Sequence, residues 1–226
     1  MAEWLNYTFR GFDNGVFNAM HSLAENAGGF FTPFFKAVSV IGEKGIIFFI
    51  AAMILMLFSN TRKKGVCMFG ALAIAAFVTS VILKNAVARV RPYAASEEYF
   101  AFWEYVKGTV SDSYCFPSGH TTMIMAAMTA MFICFNKKWS FVGFFAVVVM
   151  GFARVYLFAH YATDVIGGII VGDLAAVLAF FITKYIFLLL EKHKDKKFCA
   201  FCLNFDFMSL LNKPSLKKDD DESNIS

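Results

Sequence analysis

The sequence predicts an all-α protein, a polytopic membrane helix bundle with five or six transmembrane helices. Three observations lead to this fold class. Of the 226 residues, 58% are hydrophobic and the mean hydropathy is +0.58, which is too apolar for a soluble chain. Several stretches approach the roughly 20 apolar residues that a spanning helix requires. The basic residues gather in short segments beside the ends of these stretches.

Residues 1–43 are expected to form interfacial or membrane helices. The stretch Phe30 to Ile41 is apolar but short, and a proline and a lysine interrupt it. It fits a sixth span, or equally a surface helix continuous with residues 13–26, and the sequence leaves both open. Residues 1–15 lack the basic segment and apolar run of a cleavable signal peptide, so we expect the first span to direct insertion.

Residues 44–190 are expected to contain five spans. Two titratable groups lie within their apolar stretches, His120 in residues 118–135 and Asp173 in residues 165–183. The motif Gly168-x-x-x-Gly172 in the fifth span predicts close packing against another helix. The predicted spans are 44–60, 65–88, 118–136, 139–158 and 163–190.

The distribution of lysine and arginine predicts the orientation of the bundle. Basic segments at 62–64, 137–138 and 192–197 lie on alternate loops, so the positive-inside rule places them in the cytoplasm with the C-terminus. The loops at 89–117 and 159–163 then face the outside. Because the net charge of +4 resides beside span ends, it indicates contact with a lipid bilayer and not with nucleic acid.

Residues 191–226 are predicted to form a charged cytoplasmic tail, disordered from Lys213 onward. The five cysteines are not spaced as a disulfide framework, and Cys115 is expected to be a free thiol. Cys199 and Cys202 have a C-x-x-C spacing without a second pair, which favours packing of the tail over a metal site.

Three groups of polar residues lie near the outward ends of the spans, where charge is costly and often functional. The first is Lys84 with Arg91-Pro92. Lys84 and Arg91 are close to two helical turns apart, so the two cations share one face if the helix runs that far, and together they attract an anion. Pro92 biases Arg91 away from helical geometry. Taken alone, this group rather indicates two cations that snorkel to the interface.

The second group is Pro117-Ser118-Gly119-His120, where the outer loop re-enters the membrane as a helix. The free N–H groups at a helix N-terminus bind phosphate. Ser118 can cap the helix or bind the anion, Gly119 permits close approach of the backbone, and His120 can donate a proton. The alternative is a helix cap followed by an interfacial histidine.

The third group is Arg154-x5-His160-x3-Asp164, across the short outer connection. Arg154 adds a third cation on this side of the membrane. Asp164 follows His160 by a spacing that allows its carboxylate to accept a hydrogen bond from one ring nitrogen, which leaves the other nitrogen as a nucleophile. The alternative role of Asp164 is to cap the helix that begins at Val165, and the two roles are compatible.

In this order and on one side of the membrane, the three groups resemble the three-part signature of the type 2 phosphatidic acid phosphatase (PAP2) superfamily. The resemblance runs over residues 84–164 and implies that residues 44–190 form a PAP2-like catalytic domain. One position departs from the pattern. Ala153 stands where the family usually has a serine before Arg154, which removes one supporting hydroxyl contact to phosphate.

The resemblance implies a phosphatase mechanism that uses no metal and no other cofactor. His160 would attack phosphorus to form a phosphohistidine, while Asp164 orients its ring. His120 would protonate the leaving oxygen and then activate water. The implied phosphate-binding residues are Lys84, Arg91, Ser118, Gly119 and Arg154.

The implied substrate is a lipid phosphate whose tail stays in the bilayer. The outward-facing site favours undecaprenyl diphosphate, with phosphatidylglycerophosphate and phosphatidate as alternatives. Two hypotheses from other classes are a transporter, which Asp173 favours, and an inactive family member, which Ala153 favours. The sequence leaves the oligomeric state open.

Overall fold

The computed structural model describes residues 1–42, 45–135 and 137–208, and of residues 137–140 the backbone alone. The predicted disordered stretch from Lys213 onward lies outside these residues. Within them every regular element is helical, which confirms the predicted fold class. The α-helices are α1 (Ala2–Thr8), α2 (Arg10–Ile41), α3 (Ile46–Leu57), α4 (Arg62–Phe77), α5 (Lys84–Val87), α6 (Pro92–Ala95), α7 (Glu97–Tyr105), α8 (Gly119–Cys134), α9 (Lys137–Tyr156), α10 (Ala162–Lys192) and α11 (Lys197–Asn204).

The five predicted spans coincide with α3, α4 and its continuation to α5, α8, α9 and α10, with ends that agree within three residues. Among the described residues, two segments are long and apolar enough to cross a membrane, Arg62–Ala95 and Ala162–Lys192. The number becomes three if α2 and α3 form one bent span. Because α8 and the Phe141–Tyr156 part of α9 are shorter apolar helices, the number of crossings remains a prediction.

The N-terminal region forms one long element, α2, which joins residues 13–26 to the apolar stretch that starts at Phe30. Ala27 has non-helical angles (φ −142°, ψ 18°) and bends the helix, and Pro33 lies within its second half. The helix packs along α9. Three side chains before the bend, Asp13, Phe17 and Ala24, are buried, so α2 contributes to the interior of the bundle.

Helix α10 lies at the centre of the bundle, where it packs against α4 and α8. A Cβ atom at Gly172 would lie 2.5 Å from the carbonyl oxygen of Thr122, and one at Gly168 would lie 2.8 Å from that of Ser118. The close packing that the Gly168-x-x-x-Gly172 motif predicts therefore occurs between α10 and α8. Both helices begin at the same level, because the Ser118 amide donates to the carbonyl of Asp164 at 3.0 Å.

Asp173 has a hydrogen-bond partner within the bundle. Its Oδ1 accepts a hydrogen bond from the Thr129 hydroxyl of α8 at 2.9 Å. The carboxylate of Asp173 therefore contributes a hydrogen bond to the packing between α8 and α10.

Helix α4 continues through π-helical turns at Val78–Leu83 into the short helix α5. A π-helical turn contains more residues than an α-helical turn, so it changes the direction in which the following side chains point. The helix then ends at Ala88, which has a left-handed backbone (φ 53°). Both features lie beside Lys84 and therefore determine where the first polar group is placed.

The beginning of the tail packs against the turn between α3 and α4. Nη1 of Arg62 donates to the carbonyls of Cys202 and Leu203, each at 3.0 Å. The Ser59 amide donates to Asp206 at 3.0 Å. Cys199 and Cys202 lie on α11 as free thiols, in agreement with tail packing.

Candidate active site

Lys84 and Arg91 converge, although the shared helical face that their spacing predicts does not form. The helix ends at Val87, and Arg91 is extended (φ −69°, ψ 150°), as its position before Pro92 predicts. The two cations meet instead at the hydroxyl of Ser113. Nζ of Lys84 donates to it at 2.9 Å, and Nη2 of Arg91 donates to it at 3.1 Å.

The buried guanidinium of Arg91 links the outer loop to the connection between α9 and α10. Nε donates to the Ser113 carbonyl at 2.7 Å, and Nη2 donates to the Ser111 hydroxyl at 3.0 Å. Nη1 donates to the Ala159 carbonyl at 2.9 Å and lies 3.5 Å from Nε2 of His160. Arg91 therefore holds the loop in place and faces the predicted nucleophile.

The start of α8 contributes Gly119 and His120, which both line the same cavity as Lys84 and Arg91. A Cβ atom at Gly119 would have nothing within 4 Å, so the backbone there faces open space. Ser118 differs from its predicted role. It is fully buried outside the residues that line the cavity, and its hydroxyl pairs with that of Thr121 at 3.0 Å.

The third group brings Arg154 and His160 to the cavity, with Asp164 behind them. Nη1 of Arg154 donates to the hydroxyl of Ser39 on α2. Nδ1 of His160 lies 3.5 Å from Oδ2 of Asp164, which is long for a hydrogen bond, and Nε2 therefore faces the cations. The same Oδ2 accepts from the Tyr161 amide at 3.0 Å. Asp164 therefore caps the first turn of α10 and also faces the histidine.

The charge state of His160 suits a nucleophile. Burial is the largest cause that holds the pKa of His160 well below its ordinary value of about 6.5. The positive charges of Arg154, Arg91 and Lys84 lower this pKa further. The imidazole is therefore neutral at neutral pH, with a lone pair available. Cys115 is the nearby thiol, and burial raises its pKa, so it stays protonated and is not a competing nucleophile.

These side chains surround a cavity of about 840 Å³. Of the eight residues predicted for the site, two do not line it, Ser118 and Asp164. Ala153, where the sequence departs from the predicted pattern, is fully buried and also does not line it. The predicted residues that do line the cavity are Lys84, Arg91, Gly119, His120, Arg154 and His160.

The three motifs and the helices that carry them fall within one family match. The sequence profile of the PAP2 superfamily matches residues 64–188, which is more than half of the chain. The chain belongs to the PAP2 superfamily. This confirms the resemblance and, with the apolar helices, identifies a membrane protein.

Two relatives of the chain are phosphatases by name. The chain is 27% identical over 127 residues to an undecaprenyl-diphosphatase of Sulfolobus acidocaldarius. The aligned region covers 56% of this chain and 58% of the relative. The chain is also 28% identical over 132 residues to a lipid A 4'-phosphatase of Porphyromonas gingivalis, and that aligned region covers 56% of each chain. The match thus spans little more than half the length of these relatives.

A solved structure of the superfamily has the same fold. It is the transmembrane PAP2 type phosphatidylglycerolphosphate phosphatase from Bacillus subtilis, with a TM-score of 0.58 and 21% sequence identity. The match covers 84% of this chain and 88% of that structure. It extends the shared fold beyond the helices that the PAP2 profile covers.

Two buried charges beside this PAP2 site were missed by the sequence analysis. Arg89 pairs with Asp164 at 2.6 Å and with Asp13 of α2 at 2.9 Å. Arg89 lies two positions before Arg91, and the sequence marks it as a loop cation like others. Asp13 lies outside the matched residues 64–188. The signal that could have suggested Asp13 is its place in the first turn of α2, four positions before Phe17 and therefore on the same helical face as that apolar residue.

Metal ligands were not predicted for this site. In the part of the chain that the structure describes, no three His, Cys, Asp or Glu side chains are grouped as ligands for a metal ion. Independence from metal remains a prediction, which activity in the presence of a chelator tests.

Proposed function

We propose that this chain is a membrane phosphatase that removes the terminal phosphate of a lipid diphosphate of the undecaprenyl-diphosphate type, through a phosphohistidine at His160. The observation that best supports the chemistry is the single cavity in which His120 and His160 meet the cations Lys84, Arg91 and Arg154. Membership of the superfamily supports the phosphatase class, and the undecaprenyl-diphosphatase relative supports the substrate.

The first step transfers the phosphoryl group to the enzyme. The lone pair on Nε2 of His160 attacks the terminal phosphorus, and the bond from that phosphorus to the bridging oxygen breaks. His120 gives its proton to the bridging oxygen, so the lipid monophosphate leaves. The negative charge of the bound diphosphate favours the protonated form of His120 that this step requires. The phosphorylated ring of His160 gains positive charge, which the carboxylate of Asp164 stabilises.

The second step releases phosphate. His120, now neutral, takes a proton from a water molecule as the water oxygen attacks phosphorus. The bond between phosphorus and Nε2 of His160 breaks, and inorganic phosphate leaves. Both histidines thereby return to their starting protonation states.

Fixed cations would stabilise the charge that spreads over the phosphoryl oxygens in both transition states. Arg91 is suited to this role, because its Nη1 is 3.5 Å from the attacking Nε2 of His160. A phosphoryl group that reaches Nε2 would therefore also reach the guanidinium. Lys84 and Arg154 line the same cavity, and the backbone of Gly119 faces it at the N-terminus of α8.

The charges of the cavity favour a diphosphate over a monophosphate. Among the described residues that line it, five are cationic and one, Asp112, is acidic. Three of the cations belong to the PAP2 motifs, and the other two are Lys36 of α2 and Lys107 after α7. A diphosphate carries a second phosphate that the motif cations do not serve. Lys36 and Lys107 are suited to bind it.

The apolar lining of the cavity suits a lipid. Its walls include side chains from α2, α3, α4, α8 and the outer loop, and large apolar side chains of these helices are exposed on the surface of the bundle. A tail in the bilayer could therefore lie beside the bundle while its phosphates enter the cavity. The apolar residues of the lining are Val40, Phe49, Ala76, Val110, Met123 and Leu157.

The test is phosphate release by the purified, detergent-solubilised protein in the presence of EDTA. The substrates are undecaprenyl diphosphate, phosphatidylglycerophosphate and phosphatidate. We expect release to be fastest from undecaprenyl diphosphate, and His160→Ala to lower kcat by at least about 10³-fold because it deletes the nucleophile. An active His160→Ala variant would exclude the nucleophile, and loss of activity in EDTA would exclude the metal-free mechanism.

The same assay tests the preference for diphosphate. Lys36→Ala should lower kcat/KM for undecaprenyl diphosphate about tenfold more than for phosphatidate, because only the diphosphate needs the added cation. Lys184→Ala, an exposed lysine of α10 outside the cavity, is the matched control. Equal losses for both lipids would contradict a role of Lys36 in binding the second phosphate. Absence of release from every lipid would indicate another substrate class or an inactive family member.

A further inference from the structure

Arg89 has an environment unlike that of the cations in the cavity. It lies between α5 and α6, its exposed fraction is 0%, and it does not line the cavity. Because a buried charge without partners is very unfavourable, its donors must be satisfied by the protein. Nε donates to Asn6 at 2.8 Å, Nη1 to Asp164 at 2.6 Å, and Nη2 to Asp13 at 2.9 Å.

Asp13 is the second carboxylate of this arrangement and comes from α2, far from the PAP2 motifs in sequence. Its exposed fraction is 2%. Its Oδ1 accepts from the amide of Thr163 at 3.0 Å, and its Oδ2 accepts from the hydroxyl of Thr163 at 2.8 Å. The same hydroxyl accepts from Nη1 of Arg89 at 2.7 Å. We call Asp13, Arg89, Thr163 and Asp164 the buried ion cluster.

The guanidinium of Arg89 divides the two oxygens of Asp164 between two tasks. Oδ1 receives the bond from Arg89, while Oδ2 remains directed to the Tyr161 amide and to Nδ1 of His160. The guanidinium of Arg89 also lies over the ring of Tyr161, 3.8 Å from the ring centroid. This contact further holds the guanidinium in place. Arg89 thus determines the orientation of the carboxylate that faces the nucleophile.

The charges of the cluster suggest why two carboxylates are present. With both ionised, the cluster contains one positive and two negative charges, so it carries one net negative charge beside His160. Without Asp13, the charge of Arg89 would cancel that of Asp164. The histidine would then lack a net negative partner at the moment when phosphorylation makes its ring positive.

We propose that Asp13 and Arg89 are positioning residues of the reaction. Arg89 holds Asp164 anionic and oriented, and Asp13 offsets the positive charge of Arg89, so that Oδ2 of Asp164 can stabilise the phosphorylated ring of His160. This inference rests on the proposed function, since it assigns Asp164 its role through His160. It makes α2 a functional part of the site, although α2 lies outside residues 64–188.

A positioning role predicts a loss in kcat with little change in KM. The cations that bind the phosphates line the cavity, whereas the buried ion cluster lies behind His160. Neutralising Asp13 removes an interaction that matters only once His160 becomes positive, which is a transition-state effect. Partners of this kind that act through a catalytic group typically contribute 10- to 100-fold, by analogy with residues behind metal ligands.

The experiment compares Asp13→Asn with Asp173→Asn in the purified protein. Both change a carboxylate that accepts a threonine hydrogen bond into an amide of the same shape, but only Asp13 belongs to the buried ion cluster. We expect Asp13→Asn to slow phosphohistidine formation in a single turnover about 10- to 100-fold, with KM within about twofold of the wild type. Asp173→Asn should keep the wild-type rate.

Three results would overturn the proposal: an Asp13→Asn rate within about twofold of the wild type, a loss confined to KM, or an equal loss in both variants. If Asp13→Asn does not fold, Thr163→Val replaces it. That variant keeps every charge but deletes the hydroxyl between Asp13 and Arg89, and the same split of kcat and KM decides. An inactive wild type would overturn the proposed function as well, whereas an active wild type with an unaffected Asp13→Asn variant overturns this inference alone.

Discussion

At the scale of single residues, the proposed chemistry depends on the charge state of His160. Burial and three cations lower its pKa, while Asp164 and the cluster behind it supply negative charge on the opposite side of the ring. In the proposed reaction the ring would therefore be neutral before attack and stabilised once it becomes positive. A histidine in water would be partly protonated near pH 6.5 and to that extent unable to attack.

This charge state predicts the pH dependence of the first step. A histidine with a lowered pKa stays neutral as the pH falls through about 6.5, so phosphohistidine formation should not decline with a midpoint there. Arg154→Gln removes one of the cations that lower the pKa, so the acidic limb should move upward in pH. The measurement is kcat/KM against pH for both proteins, because kcat/KM reports the pKa values of the free enzyme. An acidic limb at the same pH in both would contradict the assigned cause.

The convergence of Lys84 and Arg91 shows the limit of reasoning from spacing at this scale. The sequence predicted that they act together, and both do contact the Ser113 hydroxyl. The predicted cause, one continuous helical face, is absent because the helix ends at Val87. Spacing identifies residues that act together more securely than it identifies the backbone that brings them together.

At the scale of elements, the site depends on the contact between α8 and α10. Glycines allow the backbones to approach closely, and this places the start of α8 beside the start of α10. Gly119 and His120 come from one helix, and Asp164 comes from the other. The closeness of this packing therefore sets how near the candidate residue His120 lies to Asp164.

A substitution at Gly172 tests this packing. In Gly172→Ala the added methyl would lie 2.5 Å from the Thr122 carbonyl oxygen and 2.8 Å from Cβ of Met125, so the helices must separate. We expect a loss of about 1–3 kcal/mol in stability, measured as a lower thermal midpoint in detergent. Gly15→Ala on α2 is the control, because a Cβ there meets nothing within 4 Å. An unchanged midpoint in Gly172→Ala would contradict close packing at this position.

At the scale of the whole molecule, the N-terminal helix α2 adds residues to a site whose motifs all lie within the region that the PAP2 profile matches. Helix α2 contributes Lys36 and Ser39 to the lining of the cavity and Asp13 to the buried ion cluster. The hydroxyl of Ser39 contacts Arg154, one of the motif cations. Residues outside the matched region thus position residues within it.

The orientation of the molecule is a prediction at this scale. Basic segments on alternate loops favour a cytoplasmic tail, so the cavity would open to the outside. In a variant without native cysteines, Glu104→Cys on α7 should react with a membrane-impermeant maleimide on intact cells. Lys194→Cys in the tail should react only after permeabilisation. The reverse pattern would place the site on the cytoplasmic face.

The sequence by itself determined the helical fold class, the positions of the main helices and most of the candidate site. Hydropathy and the spacing of motifs are local properties, so a single chain displays them without its fold. The cap at Asp164 and the extended backbone at Arg91 also follow from their neighbours in sequence.

Only the tertiary structure decided which buried charges pair and which motif residues face the cavity. Arg89 meets Asp13 across 76 positions of the chain, and the Ser118 hydroxyl faces Thr121 instead of the cavity. Both outcomes depend on how α2, α8 and α10 pack. A buried charge takes as its partner whatever carboxylate the packing brings within reach, and no local pattern in the sequence records that distance.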